Sequence, residues 1–325
     1  MATRQPIIIA HRGASGYLPE HTLAAKALAH AMGADFIEQD VVLTADAVPI
    51  VLHDISLDST TDVAHRFPHR ARDDGHYYAM DFTLDEIRSL SVHERATQDD
   101  NGRRQAVYPG RFPVDLALFQ IPTLAEEISF IAGLDKSRGR STGLYIELKS
   151  PNRHRAAGLD ISRAVCRVLQ ETGYAQRPGQ VFLQCFDDQT LQQLRGMLDT
   201  PLPLIQLIAD NSWGEDSAVD YDYLRSPEGL DDIARYADGI GPWVAHLYRG
   251  KDAAGKAQLT GLVQAAQARG LLVHPYTLRQ DDLPKGIGSF TELLDLLLRD
   301  LRVDGVFTDF PDLVAGYLDG PGQRA

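Results

Sequence analysis

Short apolar runs alternate along this chain with polar stretches of helical period, and the alternation is regular enough to count. Ile7-Ile8-Ile9-Ala10 reads as a strand that stops at His11-Arg12-Gly13. A helix over 22–32 follows, with Thr22 as its N-cap and Gly33 just past its end. A second strand is predicted over 35–42 and a short return strand over 48–52. The next helix, 123–132, opens on Thr123 with Glu126 three residues later, the spacing of a capping box. Then come strand 143–148, helix 153–171, strand 180–185, helix 187–197, strand 202–207, helix 227–236 and strand 238–241. Helix 254–269, strand 271–275, helix 288–299, strand 303–307 and helix 311–318 close the chain.

Eight strands separated by helices are the signature of a parallel sheet buried on both faces. The pattern predicts a TIM (β/α)8 barrel, an α/β fold of a single domain over 1–325; a doubly wound open sheet is the alternative. Polar residues at nearly every strand end favour the closed barrel, whose active face lies at the C-terminal ends of the strands. Residues of about 55–120 break the rhythm. They are polar and turn-rich, as in Asp99-Asp100-Asn101-Gly102, with one helix signal at 83–87. A structureless loop of that length is unusual, so the segment reads as a small insertion subdomain after the second strand, covering part of the site's mouth. The tail after Asp319 is expected to fray.

Composition narrows the partners. The chain has 325 residues, with Lys+Arg 32 against Asp+Glu 45 and a net charge of −13. Such a surface argues against nucleic acid or an anionic membrane as partner. No apolar run approaches the length of a membrane span, and the first six residues have no signal-peptide core. A soluble protein is expected, cytoplasmic as written or periplasmic if a leader is missing, and monomeric or homodimeric. Cys166 and Cys185 read as free thiols. An anionic substrate would have to find its positive charge locally.

The strand ends supply candidates. Glu38 and Asp40 are two apart, so they share a face of their strand. Two carboxylates on one face repel unless a cation lies between them. Glu147 and Lys149 share a face in the same way. Three converging acids point to a divalent metal held by Glu38, Asp40 and Glu147, hard and oxygen-loving, with Ca²⁺ ahead of Mg²⁺. Buried ion pairs, Glu147 with Lys149 or Glu38 with Arg12, are the bland alternative. His11 alone would read as a core histidine; with His53 and Arg12 beside it, acid–base catalysis is favoured. Lys149, Gln184, Glu20 and Tyr276 are read as substrate contacts, with Glu20 and Gln184 alternatively supporting the site from behind. Asp54 orients a ring or caps a turn, and Asp309 starts a helix or serves the site. Trp243, Phe186 and Phe310 are candidate pocket walls. Gly13 and Gly16 suggest a weak phosphate-cradling loop, and His65, His69, His76 and His93 are placed on the surface.

His11-Arg12-Gly13, Pro19-Glu20, Glu38 with Asp40, and His53-Asp54 resemble the glycerophosphodiester phosphodiesterase family in order and spacing. Ile146-Glu147-Leu148-Lys149, Phe182-Leu183-Gln184 and Gly305–Pro311 extend the resemblance over most of the chain. The wording Gly16-Tyr17-Leu18-Pro19-Glu20-His21-Thr22 looks most like the bacterial periplasmic branch. His21 departs from it where many relatives have Asn, and is read as a helix-start residue. The resemblance implies a small-molecule glycerophosphodiester substrate. It also implies attack of the substrate's own glycerol hydroxyl on phosphorus and a cyclic phosphate that water opens to sn-glycerol 3-phosphate, with His11 and His53 alternating as acid and base. A phospholipid-headgroup phosphodiesterase, a metal-dependent isomerase or aldolase, and a non-catalytic phosphodiester-binding protein remain as competing readings.

Overall fold

The computed structural model describes residues 5–99, 103–196 and 200–320. The first four residues, most of the predicted 99–102 turn, the end of the helix drawn to 197 and the tail past 320 lie outside them. Eight parallel strands form one sheet: β1 (Ile7–Ala10), β2 (Phe36–Leu43), β3 (Gly143–Leu148), β4 (Val181–Cys185), β5 (Leu204–Ile208), β6 (Gly239–Pro242), β7 (Leu272–Val273) and β8 (Gly305–Thr308). They follow the order β7-β6-β5-β4-β3-β2-β1-β8, the neighbour sequence of a barrel cut open between β7 and β8. Pro275 has no N–H to continue the ladder at that seam. The chain beyond it closes the gap: Pro275 accepts from the Phe307 N–H at 3.1 Å, and the Leu278 N–H donates to Phe307 at 2.8 Å. The strand predicted over 271–275 is therefore only two residues long by ladder pairing.

Alternation along the strands sorts the side chains into layers. Ile9, Phe36, Tyr145, Phe182, Ile205 and Phe307 point inward and pack together, with Tyr145 stacked on Phe182 at 4.9 Å between ring centroids. Their strand neighbours, such as Ile8, Ile37, Leu144 and Leu183, face the surrounding helices and belong to the outer core. Two residues further along each inward row come His11, Glu38, Glu147 and Gln184. The barrel floor is thus aromatic and the layer above it is polar. Gly143 makes room for that floor, because a Cβ there would lie 2.1 Å from the Phe36 ring.

The capped helices form as their signals require. Thr22 accepts from the Ala25 N–H ahead of helix Leu23–Ala31. Thr123 and Glu126 form the expected capping box ahead of helix Leu124–Arg138, longer than predicted and ended by Gly139. Two expectations are corrected. The helix drawn over 153–171 is two, Pro151–Ala156 and Ile161–Glu171, separated by Gly158 at φ 78°. The helix drawn over 254–269 survives only as Leu262–Gln267; before it runs an antiparallel hairpin of Tyr248–Lys251 and Ala257–Leu259. The alanines there favour helix, but Asp252 accepts from the N–H groups of Ala254 and Lys256 and Gly255 is left-handed, which closes a turn instead.

The segment of about 55–120 has structure of its own. It carries helices Val63–Arg66 and Leu84–Arg88 and a hairpin of Ala96–Gln98 with Arg104–Ala106. Leu57, Val63, Tyr77, Phe82, Ile87, Leu90 and Val92 pack with Val42, Ile50 and Leu52 of the second strand unit into a separate core. His65, His69 and His76 are exposed as expected. His93 is not a surface residue: it is 1% exposed, and its ring nitrogens lie 2.7 and 3.0 Å from the backbone carbonyls of Glu94 and Thr61. The Glu94 carboxylate is also buried, with one oxygen lacking a hydrogen-bond partner among the described residues.

Two measurements test this packing. Gly143→Ala is expected to cost about 1–3 kcal/mol, the usual effect of overfilling a closed core, read as a lower urea midpoint; an unchanged midpoint would mean that the Phe36 ring does not occupy that space. Burial, and then the neighbouring Glu20 charge, pushes Glu94 from 4.5 up to about 7 against the pull of Arg111. Between those values the folded chain keeps a proton that the unfolded chain has released, so stability falls as pH rises through the window and the full penalty is present above it. Glu94→Gln should remove roughly 2–3 kcal/mol of that fall. The same slope of stability against pH in both proteins would count against it.

Candidate active site

A cavity of about 260 Å³ opens at the C-terminal ends of the strands. His11, Arg12, Glu38, Asp40, His53, Glu147, Lys149, Gln184 and Tyr276 all line it, so nine of the ten residues read from the sequence as catalytic, metal-holding or substrate-contacting converge on one space. The tenth, Glu20, stands behind it: its carboxylate accepts from Arg12 at 3.0 Å and from Arg95 at 2.6 and 2.8 Å.

The local backbone explains how each side chain arrives. His11 and Arg12 follow β1 directly. Arg12 takes a left-handed φ of 57°, which a non-glycine residue holds only when its surroundings demand it. The demand here is its N–H, which donates to Glu38 Oε2 at 2.8 Å. β2 brings Glu38 and Asp40, and its hairpin with Pro49–Val51 turns the chain back so that His53 follows beside them. The Leu52 N–H donates to the Asp40 carbonyl at 2.9 Å, which anchors that return. β3 supplies Glu147 and Lys149, paired at 2.7 Å. The Lys149 ammonium also lies 3.4 Å from His53 Nε2. Gln184 on β4 donates to Glu38 Oε1 at 3.0 Å.

Each histidine has an aspartate behind it. His11 Nδ1 lies 2.6 Å from Asp309 Oδ1, and His53 Nδ1 lies 2.6 Å from Asp54 Oδ1. Both aspartates stay ionised, because arginines and their histidines more than offset the cost of burial. An ionised carboxylate only accepts, so Nδ1 carries the proton in each ring and Nε2 is left bare. Burial first, and then the Arg12 charge, lowers His11 to about 4 and His53 to about 3; both rings are neutral at pH 7.

The acids behave as a crowded set. Ligand atoms of Glu38, Asp40 and Glu147 all lie within 4.8 Å of one another, and all three residues are buried. Burial, then Asp40 and Glu147, pushes Glu38 up; burial and Asp40 push Glu147 up to about 8 despite Lys149. Asp40 moves the other way, since His53, Lys149 and the hydrogen bond from His21 outweigh its burial. Asp40 Oδ1 is a buried oxygen with no hydrogen-bond partner among the described residues, and so is Gln184 Oε1. Three clustered carboxylates, one of them with an orphaned oxygen, fit a hard divalent cation.

Several contributors carried a weak sequence signal or none. His21 does not start the helix; Thr22 does. Its φ is 60°, and its Nε2 meets Asp40 Oδ2 at 2.7 Å while Lys26 meets its Nδ1 at 3.2 Å. Lys26 is itself wholly buried on a helix whose only other polar residue is His30. It pairs with Glu127 at 3.0 Å and donates to the Glu38 carbonyl. Asp309 and Asp54 serve the histidines. Trp243 and Phe186 line the cavity, as do Trp213, Glu215 and Arg279, which the sequence did not single out. Phe310 instead packs edge-on against Tyr17 at 5.3 Å. Gly13 and Gly16 form no cradle: a Cβ at Gly13 would lie 2.8 Å from the Ala25 backbone, and one at Gly16 would lie 2.4 Å from Phe310. Those glycines serve close packing.

The chain is similar to known proteins along nearly its whole length. The Glycerophosphoryl diester phosphodiesterase family matches over residues 11–313. A glycerophosphodiester phosphodiesterase of Haemophilus influenzae is 42% identical over 97% of this chain and 90% of its own length. One from Treponema pallidum is 37% identical over 98% and 93%. Among solved structures, a candidate glycerophosphoryl diester phosphodiesterase from Silicibacter pomeroyi superposes with a TM-score of 0.68 at 25% identity, covering 95% of this chain and 91% of that one. No helix among the described residues is long and apolar enough to cross a membrane.

Proposed function

The chain belongs to the glycerophosphoryl diester phosphodiesterase family, and on that premise we propose that it hydrolyses glycerophosphodiesters to sn-glycerol 3-phosphate and an alcohol, using His11 and His53 as an acid–base pair beside a divalent cation held by Glu38, Asp40 and Glu147. The observation that carries this reading is the pair of histidines, each backed by an aspartate at 2.6 Å, on the wall of the cavity that holds the three acids.

A phosphodiester is an anion with a poor leaving group, so cleavage needs local positive charge and two proton transfers. Arg12, Lys149 and Arg279 line the cavity and supply fixed positive charge. A divalent cation bound at the three acids would add charge against the phosphoryl oxygens. Glu38, Asp40 and Glu147 would hold it, and Asp40 Oδ1, which has no hydrogen-bond partner among the described residues, is one available ligand atom. Calcium suits this set better than magnesium, because it tolerates irregular, carboxylate-rich coordination.

The Nε2 of each histidine can take a proton when bare and give it back once protonated. In the first step one ring accepts the proton of the substrate's glycerol hydroxyl. That oxygen bonds to phosphorus, the bond to the alcohol breaks, and the other ring protonates the departing oxygen. The cyclic phosphate remains. In the second step the rings exchange roles: the ring that lost its proton takes one from water, the new P–O bond opens the cycle, and the ring that gained a proton returns it to the glycerol oxygen. The cyclic route is the one implied by the family resemblance. Isolated, both rings are neutral; a phosphodiester anion beside them favours the protonated form that the acid role requires. Trp213, Trp243, Phe186 and Tyr276 wall the cavity, and the Tyr276 hydroxyl is already committed to the Ile208 carbonyl at 3.0 Å. Tyr276 therefore offers the substrate a ring face.

Glycerol 3-phosphate release from glycerophosphocholine, followed with a coupled dehydrogenase, is expected to stop in EDTA and to return with Ca²⁺ more fully than with Mg²⁺. Release indifferent to EDTA would remove the cation from the reaction. His11→Ala and His53→Ala should each lower kcat by about 10²- to 10⁴-fold in a folded, cation-binding protein. Full turnover in either variant would end the two-histidine assignment, and absence of release from every glycerophosphodiester by the folded, cation-loaded enzyme would end the substrate assignment.

A further inference from the structure

The insertion reaches the site at two points, and at both it ends on an aspartate that holds a histidine. Arg95 lies at the start of the insertion's hairpin and Arg111 just beyond it. Arg95 Nη1 donates to Asp54 Oδ2 at 2.8 Å and its Nη2 to Asp54 Oδ1 at 3.1 Å. Asp54 is the partner of His53. The same guanidinium grips Glu20, which in turn accepts from Arg12. Arg111 Nη2 donates to Asp309 Oδ2 at 2.7 Å, and Asp309 is the partner of His11. Arg111 is further fixed by Asp281 at 2.8 and 3.0 Å, by the Ser15 carbonyl at 3.2 Å, and by the Tyr108 ring 3.8 Å beneath it. The side chains of Arg95 and Arg111 are only 18% and 5% exposed. Neither residue lines the cavity.

We propose that the insertion is a positioning element for catalysis, with Arg95 and Arg111 as its two working residues: each locks one aspartate so that the histidine in front of it keeps its ring orientation and presents a bare Nε2 to the substrate. This rests on the two-histidine reading above. The physical reason is the acceptor capacity of a carboxylate. In each aspartate one oxygen meets the histidine while the other accepts from an arginine, so rotation of the carboxylate would break bonds at both ends. Asp54 Oδ2 has one more donor, the Ser59 hydroxyl at 2.8 Å, and Asp309 Oδ2 has Arg279 Nε at 2.8 Å. Arg279 comes from the barrel side and lines the cavity; Arg111 does not, so its bond to Asp309 can be tested without touching the wall. A guanidinium suits the task because it delivers parallel N–H donors in a fixed plane. Partners that orient a working imidazole matter nearly as much as the imidazole itself.

The purely structural reading is that both arginines staple the insertion to the barrel. The two readings differ in kinetics. In the cation-loaded full-length enzyme, Arg95→Ala and Arg111→Ala are expected to lower kcat by about 10- to 100-fold, the usual cost of removing an orienting partner. KM should stay within about twofold, because no contact to bound substrate is lost. Guanidinium added to the solution should restore part of kcat, and the low-field imidazole N–H resonance of the corresponding histidine should shift or broaden. Arg95→Lys and Arg111→Lys keep the charge and serve where the alanine variants fail to fold; they too should show the kcat loss with KM unmoved. Arg70→Ala, which breaks an exposed ion pair with Glu86 within the insertion, should leave kcat unchanged. Wild-type kcat with unmoved resonances in both arginine variants overturns the proposal. So does a loss of kcat that follows thermal stability and is not rescued by guanidinium. If His11→Ala and His53→Ala are inactive while the arginine variants turn over fully, only this proposal fails; if the histidine variants are active, the reading beneath it fails as well.

Discussion

Three carboxylates buried within 4.8 Å of one another set the terms for everything around them. At low dielectric such a group repels itself strongly, and the folded chain must supply compensating charge or hydrogen bonds. The upper layer of the barrel can be understood as that supply. Arg12 turns into the left-handed region and gives its N–H to Glu38. Lys149 pairs with Glu147, His21 with Asp40, and Gln184 with Glu38. Lys26 reaches in from behind, on a helix whose other buried residues are mostly small or apolar. The compensation is incomplete: Glu38 and Glu147 are still pushed towards their protonated forms, and Asp40 keeps an oxygen without a hydrogen-bond partner among the described residues. That residue of unmet charge is what fits the cluster to a divalent cation.

The barrel makes such a concentration of charge sustainable by separating it from the core. Below the acids lies a floor of stacked and edge-on rings, Phe36, Tyr145, Phe182 and Phe307. The period of two along a strand puts a floor residue and a site residue on the same inward row, as in Phe36-Glu38-Asp40 or Phe182-Gln184. Apolar packing of the floor supplies stability, while the layer above is free to be polar. The arrangement also fixes the distances between acids from different strands, since register, and not side-chain choice, decides that Asp40 stands beside Glu147.

The insertion adds a second tier. It has its own apolar core, continuous with β2 and the return strand, so its position relative to the site is set by packing as well as by ion pairs. Through Arg95 and Arg111 it touches the aspartates behind both histidines. Five positively charged side chains, Arg12, Lys149, Arg95, Arg111 and Arg279, are thereby gathered around one opening of a chain whose net charge is −13. Each of them is paired there with at least one carboxylate.

The layered fold and most of the site could be read from the sequence, because both rest on local periodicity. Two residues on one strand share a face whatever the tertiary structure, so Glu38 with Asp40 and Glu147 with Lys149 could be paired without it; strand-end placement brought His11, His53, Gln184 and Tyr276 to the same face. Capping signals at Thr22 and Thr123 depend on the next three residues alone. Misreadings arose where a longer-range contact or a backbone conformation overrode a local preference. The alanines near 254 were turned by Asp252 and a left-handed Gly255, and Gly158 split a helix that its period joined. Tertiary structure alone decided that His21 belongs to Asp40, that Lys26 and His93 are buried, and that Asp309, 298 residues from His11, holds its ring. It also decided that two arginines of the insertion close on both aspartates. Such partnerships depend on where the chain folds back, and the inward period of a strand carries no information about which distant side chain will fill the space behind it.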